Sequence, residues 1–117
     1  MSGYGYREAV LQLDAALWRK RVIRDAESAE GRAVAGAYEV SIDLVIAVAE
    51  LIAAYMAAGE SEISRTDLKM SGVRSVPLIG TRQTQRLLRY LEDRGHIGRT
   101  DNRDFIRPVR GDEMPLR

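Results

Sequence analysis

Residues Gly80 to Arg110 read GTRQTQRLLRYLEDRGHIGRTDNRDFIRPVR. Thr84, Leu87, Leu88 and Leu91 recur at three- and four-residue spacing, the period that lines one face of a helix. The Thr81 hydroxyl is placed to accept from the first free backbone N–H groups, and Gly95 is placed to stop the last turn. The helix so bounded carries Arg82, Gln83, Gln85, Arg86 and Arg89 on its other faces, with acids only at Glu92 and Asp93. After the glycine, His96–Thr100 and Asp104–Arg107 read as two strands joined by Asp101-Asn102-Arg103, residues that favour turns. Ile97 and either Phe105 or Ile106 are expected to face a core, while Arg99, Arg103 and Arg107 reach outward and Pro108 ends the second strand.

A helix with an apolar back and an Arg/Gln front suits the major groove of DNA, where guanine offers paired acceptors and adenine a mixed donor and acceptor edge. The same composition also serves a plain soluble surface. The charge distribution bears on the choice. Residues 1–59 carry six basic and eight acidic side chains, and residues 63–110 carry eleven basic and five acidic, so the halves stand at −2 and +6. A basic back half on a chain of formal net charge +1 points to a polyanionic partner for that half.

Working back from the basic segment, Met1 to Tyr6 has two glycines and no periodicity, a loose start. A helix is expected from Arg7 to Glu30, with Gly31 as its stop. Val10, Leu13 and Leu17 make one apolar row and Leu11, Trp18 and Val22 an adjoining one. Arg19, Lys20, Arg21 and Arg24 form either a solvated face paired with acids or a second phosphate contact. Arg32 to Ala58 reads as one long buried helix of roughly 39 Å at 1.5 Å per residue. Its core, IDLVIAVAELIAAYMAA, is at the short end of the membrane-spanning range and is interrupted by Asp43 and Glu50, which argues for a helix buried in protein. Glu39, Asp43 and Glu50 form its thin polar line. Gly59 ends it. Ser64-Arg65-Thr66-Asp67 has the form of a capping box for a short helix to Met70, with Leu68 facing in. The link Val73 to Ile79 contains Pro77 and so excludes a regular helix. Residues 111–117 read as a tail.

Length and composition bound the rest. One domain of 117 residues is expected, with segments 7–31, 32–58, 63–110 and 111–117. The chain has no cysteine and one histidine, so neither a disulfide scaffold nor a His/Cys metal site can be assembled. His96 sits beside a helix end, where an imidazole has a structural role ready to hand. No nucleophile–base set and no phosphate-binding loop is present in the sequence, so neither an enzyme nor a bound cofactor or metal is expected. No secretory signal pattern is seen, and an intracellular, cytoplasmic location is expected.

The run Gln83 to Ile97 resembles the recognition helix and first wing strand of bacterial and archaeal winged helix-turn-helix regulators, including MarR-like ones. In those an Arg precedes the pattern L-x-x-L-E-x-x-G-x-I, here Leu88, Leu91, Glu92, Gly95 and Ile97. Thr84 stands where Val or Ile is usual, and the Val73–Ile79 link is longer than the turn expected between two DNA-binding helices. The resemblance implies a mainly α fold with a small β-ribbon. It makes Arg82, Gln83 and Arg86 candidates for base edges, Arg65, Lys69, Gln85 and Arg89 candidates for phosphates, and Arg99, Arg103 and Arg107 the contacts of the wing. MarR-like proteins carry dimerising helices after the wing; here a homodimer through residues 7–58 is expected instead. The function expected is sequence-specific binding of double-stranded DNA as a small regulator of transcription. Alternatives are a protein-binding adaptor or inhibitor of a mobile element on the same scaffold, and a plasmid or phage replication or partition factor.

Overall fold

A computed structural model describes residues 3–68 and 81–111. Lys69, the end of the short helix at Met70, the Val73–Ile79 link, the Thr81 hydroxyl and residues 112–117 lie outside the described residues or side chains. The chain is mainly helical: α1 (Gly3–Glu27), α2 (Ala29–Tyr38), α3 (Ile42–Ala57), β1 (Ile63–Ser64), a helical turn at 65–68, α4 (Thr81–Asp93), β2 (Ile97–Arg99) and β3 (Phe105–Pro108). The three strands form one antiparallel sheet in the order β1-β3-β2.

The N-terminal half departs from the expected two long helices. The first runs from Gly3 to Glu27, so the chain is helical through most of its expected loose start. Ser28 then caps a new helix: its Oγ accepts from the Gly31 N–H at 3.0 Å and donates to the Asp25 carbonyl at 2.5 Å. Gly31 is therefore not a stop but an interior residue of α2. Its reason is space, because an added Cβ would overlap the Asp25 carbonyl group, lying 2.7 Å from its carbon. The single long helix is likewise two. Glu39 takes a left-handed φ of 58° and its N–H closes α2 on the Ala35 and Gly36 carbonyls, while Ser41 Oγ caps α3 by accepting from Leu44 N–H at 3.1 Å. The two helices meet at 98°. No single helix among the described residues is long and apolar enough to cross a membrane.

Helix α3 is the centre of the core. It buries Leu44, Val45, Val48, Ala49, Ile52, Ala53 and Met56, leaving Asp43 and Glu50 exposed. Each large apolar side chain so buried contributes about 1.5–3 kcal/mol. Helix α1 packs along it through Ala15, Trp18, Val22 and Ala26. The other row, Val10, Leu13 and Leu17, was expected to share that burial and does not: it is 37%, 59% and 50% exposed.

In the C-terminal half the expected elements form. Ile63 and Ser64 add a strand that two residues were too few to announce; Ile63 pairs with Ile106 and Ser64 with Phe105. Ser64 Oγ accepts from the Asp67 N–H at 3.3 Å, one half of the capping box, and Leu68 is buried. Thr84, Leu87, Leu88 and Leu91 form the buried face of α4, joined by Tyr90. Gly95, at φ 78°, ends the helix. The β2–β3 ladder pairs Gly98 with Arg107 and Arg99 with Ile106. Ile97 and Ile106 are buried and Phe105 half-buried.

Candidate nucleic-acid interface

The outward ridge of α4 is Arg82, Gln85 and Arg89, three exposed residues at i, i+3 and i+7. Gln83, a candidate for base edges from the sequence, is half-buried on the flank instead. Arg86, another such candidate, is exposed but turned toward the α2–α3 elbow, where its guanidinium lies 3.2 Å from Glu39. Both partners are largely solvated, so this pair contributes little and exchanges readily for another anion.

Beside the C-terminal half of α4 a groove of about 380 Å³ is lined by Arg65, Arg89, Glu92, Arg99, Arg103 and Phe105, among others. Four arginines and one glutamate thus line it. Each arginine comes from a different place in the chain. Arg65 opens the helical turn after β1, where its N–H donates to the Asp104 carbonyl at 2.8 Å and ties it to the β2–β3 turn. Its side-chain Nε is buried and has no hydrogen-bond partner among the described residues. Arg89 comes from α4 and Arg99 from the exposed end of β2, where it meets Glu92 at 3.2 Å. Arg103 sits at the tip of the turn. That turn is fixed by its own side chains: Asn102 Oδ1 accepts from Asp104 N–H at 2.9 Å, and Thr100 Oγ1 accepts from Asn102 N–H at 3.1 Å.

Arg107 does not join the other two wing arginines, Arg99 and Arg103, in this groove. It is half-buried, its guanidinium lies against Gly98 across the ladder, and it lines a separate depression with Gly59, Glu60 and Pro108. Lys69 is outside the described residues. Of the basic run in α1, Arg21 is structural, donating to the Val109 carbonyl at 2.9 Å, whereas Arg19, Lys20 and Arg24 are exposed.

No protein-family model, characterised protein or solved structure matches this chain significantly.

What aims α4 is a polar cluster at its C-terminal end, which sequence reasoning missed. Arg94 makes a two-pronged bond to Asp25 of α1, at 2.9 and 2.5 Å, and reaches Glu30 at 3.1 Å. His96 Nε2 lies 2.9 Å from the same carboxylate. Trp18 Nε1 donates to the His96 carbonyl at 2.9 Å, and Tyr90 Oη donates to the Gly31 carbonyl at 3.0 Å. Tyr38 also bonds Asp93 and meets Tyr90 edge to face. Helices α1 and α2 are thereby both fastened to one end of α4.

Burial raises the Asp25 carboxyl, but hydrogen bonds from Arg94 and His96 outweigh it and hold the group below the usual carboxylate range. Burial also pushes His96 down, more than Asp25 draws it up. A neutral ring with its proton on Nε2 fits the geometry, since Nδ1 is buried without a hydrogen-bond partner among the described residues. A histidine whose folded pKa is depressed stabilises the fold above its unfolded pKa of about 6.5 and loses that contribution as pH falls through the folded value. Asp25 acts in the same direction at lower pH. The denaturation midpoint is expected to fall between pH 7 and pH 5, and His96→Gln to flatten that fall. Urea melts across this range check it.

Proposed function

We propose that this chain is a double-stranded DNA-binding protein of winged-helix architecture, acting as a small transcriptional regulator. It lays α4 in the major groove and the β2–β3 turn along the backbone. The observation that carries the reading is the groove of Arg65, Arg89, Arg99 and Arg103 between the flank of α4 and the turn. Cations from separated parts of the chain gather where a phosphate strand would pass a helix seated in the groove. Phosphate contacts give position and salt dependence, and base contacts give sequence preference. The element order supports the same reading: helix α3, strand, helical turn, helix α4, then two strands with β3 central in the sheet.

The geometry redistributes the roles implied by the sequence resemblance. Arg82, Gln85 and Arg89 face away from the core and are the first contacts for base edges, with Arg89 also reaching the groove. Arg86 joins them when a phosphate replaces Glu39. Arg65, Arg99 and Arg103 take the backbone.

Binding of a labelled duplex, followed by fluorescence anisotropy from about 50 to 200 mM salt, tests the proposal. Affinity that falls steeply with salt is expected, and no duplex binding at the low end refutes it. Glu39→Gln removes a competing anion from Arg86, so it is expected to tighten binding about threefold to tenfold at low salt, with the gain shrinking as salt rises.

A further inference from the structure

Helix α1 has two apolar faces on nearly opposite sides. Ala15, Trp18, Val22 and Ala26 pack into the core. Tyr6, Val10, Leu13 and Leu17 are 76%, 37%, 59% and 50% exposed. Their spacing of four, three and four residues is the seam of a helix built to pair with another helix. Scattered exposed apolar residues need no explanation, but a continuous row of large ones marks an interaction surface.

We infer that this face binds a second copy of the same chain, with the two α1 helices antiparallel about a two-fold axis near residues 11 and 12. The flanks of the stripe select this occupant and this direction. Antiparallel pairing sets Leu13 against the partner's Val10 and Leu17 against the partner's Tyr6. On one flank it brings Arg7 opposite the partner's Asp14, and symmetry repeats the pair, so opposite charges meet twice. Asp14 is bonded to Arg110 of its own chain through Oδ2, which leaves Oδ1 for this contact. On the other flank Ala16 meets the partner's Ala9, two exposed small residues that let the helices approach closely. A two-fold interface must be self-complementary, and both flanks are. Parallel pairing fails the same check: Lys20 and Arg24 continue the line of the stripe and would each face their own copy.

The seam from Tyr6 to Leu17 is only about 17 Å long. It covers less area than a standard stable interface, so a dissociation constant on the order of 1–100 µM is expected. The inference does not depend on DNA binding, and its test contains no nucleic acid. In sedimentation velocity across that range, the wild-type chain is expected to pass from monomer to dimer. The Leu13→Glu/Leu17→Glu variant should remain monomeric with unchanged circular dichroism, since both positions are solvent-exposed. The chain has no cysteine, so engineered thiols report cleanly on direction. An equimolar mixture of Val10→Cys and Leu13→Cys proteins should oxidise to the mixed disulfide several-fold faster than either protein to its own. A wild-type monomer throughout the range overturns the inference, whether another protein or residues 112–117 then cover the stripe. So does a dimer that survives the double glutamate change, or self-crosslinking of Leu13→Cys that equals the mixed product.

Discussion

Replacing Arg65, Arg89 and Arg103 together with alanine is expected to weaken binding to every duplex by roughly a hundredfold near physiological salt, and to lower the slope of log affinity against log salt by about three. The three residues line one groove yet belong to the turn after β1, to α4 and to the β2–β3 turn. Arg65 is half-buried and Arg103 exposed, and neither side chain bonds an acid among the described residues; Arg89 is exposed on the outward ridge of α4. Their removal therefore leaves the core intact, and the thermal midpoint should move little. The part of the loss that comes from Arg65 and Arg103 should be uniform across sequences, because a phosphate contact carries no base information, and Arg89, which also faces base edges, should add a smaller sequence-dependent part. Changing Gln85 alone should behave oppositely, altering which sequences are preferred more than how tightly duplexes bind overall. Anisotropy titrations on several duplexes at several salt concentrations separate the two effects.

The second large effect is on stability. Gly31→Ala is expected to cost about 3 kcal/mol or more, or roughly 10–20 °C in thermal midpoint. An added methyl group at Gly31 meets the Asp25 backbone, which cannot rotate away as a side chain would. Relief requires α2 to move off the end of α1. That movement disturbs the Asp25–Arg94–His96 cluster on one side and the Tyr90 bond to the Gly31 carbonyl on the other. Gly36, in the same helix, has nothing within 4 Å of an added Cβ. Gly36→Ala should therefore stabilise by about 0.5–1 kcal/mol, through helix propensity and a less flexible unfolded chain. Opposite signs for two glycine changes five residues apart are checked by thermal melts of the two variants.

These residues also mark what the sequence made legible. The basic half could be read because its signals are local: the period of Thr84, Leu87, Leu88 and Leu91, the stop at Gly95 and the turn chemistry at Asp101–Arg103 all act within a few residues. The N-terminal half was misread where a local signal had two meanings. Gly31 satisfies the pattern of a helix stop, but its function is close approach, which only the fold reveals. Ser28 and Ser41 are good N-caps, yet neither is followed three residues later by Glu or Gln, and both sit inside helical periodicity. The sharp break at Glu39 rests on a left-handed glutamate that no turn preference announces.

The candidate site was legible in part for the same reason. Charge asymmetry located it, but only tertiary packing decides which arginines converge. Arg65 and Arg103 are 38 positions apart and meet because β1 pairs with β3; Arg107, four residues past Arg103, turns elsewhere. Arg86 and Gln83 follow the helical period of the outward residues closely enough to be mistaken for them. A small offset around the helix puts one against Glu39 and the other half into the protein. The Asp25–Arg94–His96 cluster joins residues about seventy positions apart, and a lone histidine beside a helix end gives no hint of its partner.

The central claim is that α4 and the β2–β3 turn read duplex DNA. Selection from a pool of randomised duplexes at physiological salt tests it most directly. The expected result is enrichment of one sequence motif, with two-fold symmetric half-sites about one helical turn apart when two copies bind together. Retention of no duplex above background, even at about 50 mM salt, would contradict it.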